Sequence, residues 1–197
     1  MKEYFGITEE TTILDVGGNP LNWVYLDVKP KITILNLNPR ARSLSSDYEY
    51  VREDARSMSF ETDSFDLCYS NSVIEHVGDW DDQQRFADEI RRVGRSYYVQ
   101  TPNYYFFIEP HFIAPFIHWL PVQVRIKLVR YCTLWGLTHR PDQVEIESTV
   151  RETVLLTKRQ MKILFPNAVF LSERVLGMQK SLISVFNCKA LMPEAKQ

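Results

Sequence analysis

The fold of this chain is decided by the stretch Thr12-Ile13-Leu14-Asp15-Val16-Gly17-Gly18-Asn19-Pro20. A short apolar run ends in an acidic residue and is followed by two glycines and a helix-start signal, an order that predicts a strand, a tight turn and a helix. Glycine has no Cβ, so it adopts positive φ and lets a ligand approach the main chain. Asn19 is a favoured N-cap, and Pro20 suits the first helical position. The N–H groups freed there can bind a carboxylate or a phosphate. The alternative is an ordinary strand–helix loop.

Composition limits the classes of protein to which the chain can belong. It has 197 residues, 45% of them hydrophobic and 24% charged, which is typical of one globular domain spanning 1–197. A formal net charge of -2 argues against a general nucleic-acid partner. No apolar run reaches the roughly 20 residues that span a bilayer, and the first residues lack the apolar core of a signal peptide. The three cysteines are widely spaced, so we expect free thiols, a cytoplasmic location and no metal ligands.

Strand-like and helix-like segments alternate along the chain. Strands are predicted at 13–16, 31–37, 48–51, 64–70, 95–100, 169–175 and 181–186, and helices at 80–93 and 157–165. This order predicts an α/β fold with a doubly wound, Rossmann-like, mostly parallel seven-stranded sheet. The short connection between the last two strands, at Gly177, makes the last strand antiparallel. Residues 104–150 are predicted to be a helical, aromatic insertion after the fifth strand.

Distinctive polar residues follow the predicted strands. They are found at 15–19, Asn36, Asp54, Ser70-Asn71 and 100–103. In an open α/β sheet, ligands bind outside the carboxyl ends of the strands. Each of these residues alone is explained by a turn or a helix cap, but their shared placement predicts a binding site.

Four motifs together resemble the class I S-adenosylmethionine-dependent methyltransferases. They are the stretch Asp15–Asn19, Glu53-Asp54-Ala55, Phe65-Asp66-Leu67 with Ser70-Asn71, and Val73-Ile74-Glu75-His76. The likeness covers about 13–103 and resumes at 157, and it is strongest to the group that methylates small molecules and lipid intermediates. It implies S-adenosylmethionine as the cofactor and transfer of its methyl group to a small acceptor.

The resemblance also implies roles for single residues around the cofactor. The main chain at Gly17 and Gly18 would pack against the methionine part, and Asp15 would neutralise its ammonium group. Asp54 would accept a hydrogen bond from the adenine amino group. Ala55 and Met58 would line the adenine pocket, and the Ser70 carbonyl would lie beside the cofactor.

Two positions depart from the family's pattern. Asn19-Pro20 stand where a further glycine is usual, and Asn36 ends the second strand where an acidic residue is usual. An asparagine offers one acceptor oxygen and a donor amide, so we expect Asn36 to bind the ribose with less charge assistance, with Asn38 as the second candidate. The lost carboxylate leaves open a non-catalytic binding protein that kept the fold. A dinucleotide oxidoreductase is less favoured, because the first turn lacks G-x-G-x-x-G.

Histidines supply the candidates for catalysis. His111 is the first choice for a general base or an acceptor contact, and His76 is the second, because both follow strands that end near the expected methyl group. His118, Glu109 and Glu75 are the alternatives. Glu75-His76 is also explained as a structural pair at a helix start.

The insertion at 104–150 is the predicted site of the acceptor. Its first part is aromatic, and 122–134 reads as an amphipathic helix bearing Arg125, Lys127 and Arg130. These features predict an apolar acceptor pocket with a basic rim, in which Phe107 and Phe112 contact an apolar or amphiphilic acceptor. One hypothesis is a peripheral membrane contact through 104–134. The alternative is a small subdomain that buries its aromatic residues against the sheet.

Overall fold

The computed structural model describes residues 1–37 and 48–188. Its sheet has seven strands in the order β3-β2-β1-β4-β5-β9-β8, and a separate two-stranded hairpin contains β6 and β7. Neighbouring strands from β3 to β5 are parallel, and β9 is antiparallel to both β5 and β8, which confirms the predicted fold class. The strands are β1 Thr12–Val16, β2 Lys31–Leu35, β3 Glu49–Val51, β4 Phe65–Asn71, β5 Gly94–Pro102, β6 Ile108–Glu109, β7 Ala114–Pro115, β8 Val169–Val175 and β9 Met178–Phe186.

Local sequence signals explain where the helices begin. Both Asp79 and Thr157 form capping boxes with the residue three positions on, so α2 and α6 start where their sequences predict. The α-helices are α1 Lys2–Phe5, α2 Trp80–Val93, α3 Val122–Cys132, α4 Leu134–His139, α5 Gln143–Glu152 and α6 Lys158–Leu164. Within the described residues, 3₁₀ turns lie at Pro20–Trp23, Ile74–His76 and Ile117–Trp119.

The predicted helix over 122–134 is wrong at its C-terminal end. Helix α3 ends at Cys132 because Thr133 adopts an extended backbone and caps the next helix. Its hydroxyl accepts a hydrogen bond from the Gly136 N–H at 2.9 Å and donates one to the Val129 carbonyl at 2.7 Å. A side chain that bonds to both helices stabilises the break between them.

Strand alternation divides the main core into two faces. On one face of β1, Leu14 and Val16 pack with residues of α2 and α6, such as Phe86 and Leu164. On the other face, Ile13 packs with Trp23 and with α1. Asp15 lies on this second face, which determines its surroundings.

The insertion has a hydrophobic cluster of its own. Phe112 packs there with residues of α3 and α5, including Val129 and Ile146. Phe112 is therefore a core residue of the insertion, which corrects the expectation that it contacts the acceptor. Within 1–37 and 48–188, no helix combines the length and the apolar character needed to cross a bilayer.

Candidate active site

The loop after β1 brings main chain close to neighbouring side chains. Gly17 has φ +69°, and a Cβ there would lie 2.5 Å from Cγ2 of Val73. A Cβ on Gly18 would lie 1.9 Å from the Asp15 carboxylate. Neither position has room for a side chain, so glycine is required at both. Asn19 caps the following turn as predicted, since its side chain accepts a hydrogen bond from the Leu21 N–H at 3.0 Å.

Asp15 is fully buried beneath this loop. Its Oδ2 accepts hydrogen bonds from Trp23 Nε1 at 2.8 Å and Asn22 Nδ2 at 3.2 Å. Its Oδ1 is buried and has no hydrogen-bond partner among the described residues. Burial raises the pKa of Asp15 to about 6, although the bonds from Trp23 and Asn22 oppose the shift. Sequence reasoning missed the Trp23 contact, because the local pattern does not reveal which side chain packs against Asp15.

A cavity of about 360 Å³ lies at the carboxyl ends of β1, β2 and β4. Its lining includes four of the predicted cofactor residues, Gly17, Asn36, Asp54 and Ala55. Gly18, Asp15 and Ser70 are not in the lining, so any contact they make with a ligand stays a prediction. Ser70 is fully buried on β4, paired with Val16 and Val99. Asn38 lies outside the described residues.

Arg56 lines this cavity and fixes the carboxylate of Asp54. Its guanidinium forms hydrogen bonds to both carboxylate oxygens of Asp54, at 2.6 to 3.1 Å, and to Asp82 at 2.9 Å. The hydrogen bonds from Arg56 keep the pKa of Asp54 below its usual value. Glu152, at the end of α5, also lines the cavity. Sequence reasoning missed both residues. Arg56 directly follows the Glu53-Asp54-Ala55 motif, so its position in the sequence was the available signal, whereas only the fold brings Glu152 to the cavity.

The two predicted catalytic histidines lie side by side. His76 Nε2 and His111 Nε2 are 3.0 Å apart. His111 Nδ1 lies 2.6 Å from Glu109 Oε1, and the other oxygen of Glu109 accepts a hydrogen bond from the Phe112 N–H at 2.7 Å. Glu75 is fully buried and accepts a hydrogen bond from Thr101 Oγ1 at 2.9 Å. We call Glu75, His76, His111 and Glu109 the histidine cluster.

Protonation differs along the histidine cluster. Burial and the neighbouring His111 lower the pKa of His76. Burial acts in the same direction on His111, but the hydrogen bond and charge of Glu109 and the charge of Glu75 outweigh it, so the pKa of His111 is raised. Burial raises the pKa of Glu75 to about 7, although its bonds to the backbone and Thr101 oppose the shift.

A second cavity, of about 850 Å³, lies on the other side of the histidine pair. His76 lines the smaller cavity and His111 the larger one, so the pair stands where the two meet. The larger cavity is lined by the polar residues Asn71 and Gln100 and by the apolar residues Phe106 and Ile108. Phe107 was the predicted aromatic contact, but the residue in the lining of this cavity is its neighbour Phe106.

His118, a candidate for catalysis, and Met58, a candidate for the adenine pocket, both lie outside the lining of the two cavities that meet at the histidine pair. His118 is buried, and its Nε2 lies 2.9 Å from the Tyr104 carbonyl oxygen. It lines a different cavity, together with Arg125. Met58 is buried in the main core and is not in the lining of the smaller cavity.

The smaller cavity fits the cofactor that the resemblance implies. Its volume lies within the range of about 300–1,000 Å³ that is usual for small-molecule sites. Gly17 lines it without a side chain, and a Cβ there would collide with Val73, which lines it as well. Three carboxylates, of Glu53, Asp54 and Glu152, line it with one guanidinium, of Arg56, which pairs with Asp54. The excess of negative charge suits a ligand that carries a sulfonium and an ammonium group.

Comparisons with known proteins agree with this architecture. Residues 12–96 match the family model described as a methyltransferase domain. The chain is 31% identical over 109 residues to an uncharacterized methyltransferase of Mycobacterium sp. (strain JLS), covering 50% of this chain and 40% of the relative. The chain therefore spans less than half the length of that curated relative.

Solved structures show the same fold over nearly the whole chain. A SAM-dependent methyltransferase of Methanosarcina mazei is similar with a TM-score of 0.56 at 18% identity, covering 93% of each chain. The 1,6-didemethyltoxoflavin-N1-methyltransferase of Burkholderia thailandensis, solved with its substrate and S-adenosylhomocysteine, has a TM-score of 0.56 at 12% identity, covering 93% of this chain and 72% of that one. Together with the domain match over 12–96, this similarity shows that the chain has the fold of the S-adenosylmethionine-dependent methyltransferases, which its sequence motifs predict.

Proposed function

We propose that this protein transfers a methyl group from S-adenosylmethionine to a small, amphiphilic acceptor. The observation that carries the proposal is the meeting of the two cavities at the contact between His76 and His111. Methyl transfer is an in-line displacement, so donor and acceptor must approach from opposite sides of one point. The cofactor, when bound, supplies the electrophilic methyl group, and the protein supplies positioning and exclusion of water.

Residues of the smaller cavity would hold the cofactor. The main chain at Gly17 packs against its methionine part, and Asn36 bonds the ribose hydroxyls through its amide. Asp54, fixed by Arg56, accepts a hydrogen bond from the adenine amino group. His76 and His111 then contact the reacting end of the acceptor.

The larger cavity favours an acceptor with one polar and one apolar end. Asn71, Ser72 and Gln100 offer hydrogen bonds at one side, and the Ser72 hydroxyl lies 3.1 Å from Gln100 Oε1. Phe106 and Ile108 provide apolar contact. Since an apolar pocket with a few convergent polar groups orients an amphiphile, this lining supports the acceptor class.

Calorimetric titration of the full chain with S-adenosylhomocysteine tests the cofactor site. We expect one-site binding, followed by transfer of label from methyl-labelled S-adenosylmethionine to a component of an organic extract. Binding without transfer to any aqueous or organic fraction supports the alternative of a non-catalytic binding protein. Failure to bind either nucleoside contradicts both.

The acceptor class also supports the hypothesis of membrane contact. Near the larger cavity the insertion exposes Ile113, Phe116 and Trp119, and α3 adds the exposed cations Lys127 and Arg130. Ile113 and Phe116 have φ +50° and +61°, in the left-handed region that disfavours large side chains. Large apolar side chains do not stabilise a left-handed backbone, so these two residues are not explained by the local conformation. We propose that they contact the surface of an anionic membrane.

Replacing Phe116 with glycine tests the membrane contact. We expect binding to phosphatidylglycerol vesicles to fall at least about fivefold, because one apolar anchor is lost. The free energy of unfolding should change by less than about 1 kcal/mol, since relief of the left-handed backbone offsets the lost ring contacts. Vesicle sedimentation measures the first quantity, and urea denaturation the second.

Leu176→Gly is the matched control. Leu176 is also exposed and has φ +50°, but it lies in the turn between β8 and β9. Its replacement should leave vesicle binding unchanged. Equal loss in both variants, or no binding by the unsubstituted chain, contradicts the membrane contact.

A further inference from the structure

Three side chains of the histidine cluster are arranged like metal ligands. One ligand atom each from Glu75, His76 and His111 lies within 4.8 Å of the other two. The two Nε2 atoms are 3.0 Å apart. Donor atoms on one tetrahedral zinc ion, with bonds of about 2.0–2.1 Å, stand about 3.3 Å apart. Small side-chain rotations therefore bring the three groups to coordination distance.

Glu75 has an unused ligand atom. Its Oε2 accepts the hydrogen bond from Thr101, but Oε1 is buried and has no hydrogen-bond partner among the described residues. A buried carboxylate oxygen without a hydrogen-bond partner is costly, and the hydrogen bond from Thr101 to the other oxygen does not satisfy it. A cation shared with the histidines would.

Glu109 occupies the position of an outer carboxylate. It is 1% exposed and binds His111 through Nδ1, which directs Nε2 of the same ring towards His76. Metal-binding histidines almost always hydrogen-bond through their second nitrogen to such a carboxylate or to a carbonyl group. The same contact fixes the tautomer in which Nε2 can donate its lone pair.

We propose that Glu75, His76 and His111 bind one divalent transition-metal ion, with Glu109 holding His111 in place. Two imidazoles and one carboxylate suit Zn²⁺, and three protein ligands leave one position open. That position adjoins the larger cavity, which His111 lines. If the proposed methyl transfer also holds, the open position selects acceptors that present an oxygen ligand. Metal binding itself does not depend on methyl transfer.

Metal titration of the chelator-treated full chain tests the proposal. We expect calorimetry to show one equivalent of Zn²⁺, and Co²⁺ to give visible d–d absorption bands that Zn²⁺ displaces. Glu109→Gln should weaken affinity by about 10–100-fold, as loss of an outer partner does, and Glu75→Gln or His76→Ala should weaken it further. His139→Ala is the control, because His139 forms an exposed pair with Glu145 at 3.2 Å.

The two proposals fail separately. Absence of Zn²⁺ and Co²⁺ binding by the unsubstituted chain overturns the metal site, whatever the variants do. Stoichiometric binding that Glu75→Gln and His76→Ala leave unchanged overturns it as well. S-adenosylhomocysteine titrated into the same chelator-treated sample reports the cofactor site on its own, since none of the three ligands is among the residues assigned to the nucleoside.

Discussion

Gly17→Ala is expected to weaken binding of S-adenosylhomocysteine at least about 50-fold and to lower the free energy of unfolding by about 2 kcal/mol. The new Cβ would lie 2.5 Å from Cγ2 of Val73, on a backbone with φ +69°. Val73 lines the smaller cavity, so its displacement narrows the space next to the main chain. Calorimetry and urea denaturation measure the two effects.

Gly177→Ala separates strain from crowding. Gly177 has φ +80°, and a Cβ there would meet nothing within 4 Å. Its replacement should cost about 1 kcal/mol of stability, the backbone penalty alone, and leave nucleoside affinity unchanged. If Gly17→Ala binds the nucleoside as tightly as Gly177→Ala does, the nucleoside does not lie at this loop.

Asp15→Asn is expected to stabilise the unliganded protein above pH 6. Burial raises the folded-state pKa of Asp15 from 3.8 to about 6. The folded state therefore binds the proton more tightly than the unfolded state, and ionisation of Asp15 removes stability as pH rises from about 4 to 6. The full cost is about 3 kcal/mol, from 1.36 kcal/mol per pKa unit. An amide does not ionise, so the variant should gain up to about that amount at pH 8 and almost nothing at pH 4.

Urea denaturation at the two pH values checks this difference, with Asp27→Asn as the exposed control. Asp27 forms a surface ion pair with Lys2, so its replacement should give no gain at pH 8. Asp15→Asn should also weaken nucleoside binding by about tenfold if the carboxylate neutralises the ammonium group, since a partly buried pair of charges contributes about 1 kcal/mol or more. Equal gains at both pH values contradict the ionised, buried carboxylate.

The cost in stability that we expect from the Asp15 carboxylate, beside the loop after β1, has a functional interpretation. Asp15 is fixed by Trp23 and Asn22, and Gly18 leaves room for it. Active sites retain groups that cost stability when those groups serve the ligand. If Asp15→Asn stabilises the protein and also weakens nucleoside binding, Asp15 is a group of this kind: it costs stability and serves the ligand.

Local sequence was sufficient for the fold class. Alternating strands and helices predict the mostly parallel seven-stranded sheet, and the Gly177 turn predicts its antiparallel last strand, because these signals act over a few residues. The stretch around Gly17, the end of the second strand at Asn36 and the Asp54-Ala55 motif likewise predict four residues that line one cavity, because parallel strands end at the same edge.

Only the tertiary structure decided how the distant partners meet. His76 follows β4 and His111 lies in the insertion, 35 positions on, yet their rings are in contact. Glu152 reaches the smaller cavity from the end of α5, and Trp23 bonds Asp15 through a buried indole. Such contacts depend on how the elements pack, and periodicity and propensity do not encode that packing. The sequence therefore identified the two histidines as candidates, but only the tertiary structure showed that they are in contact.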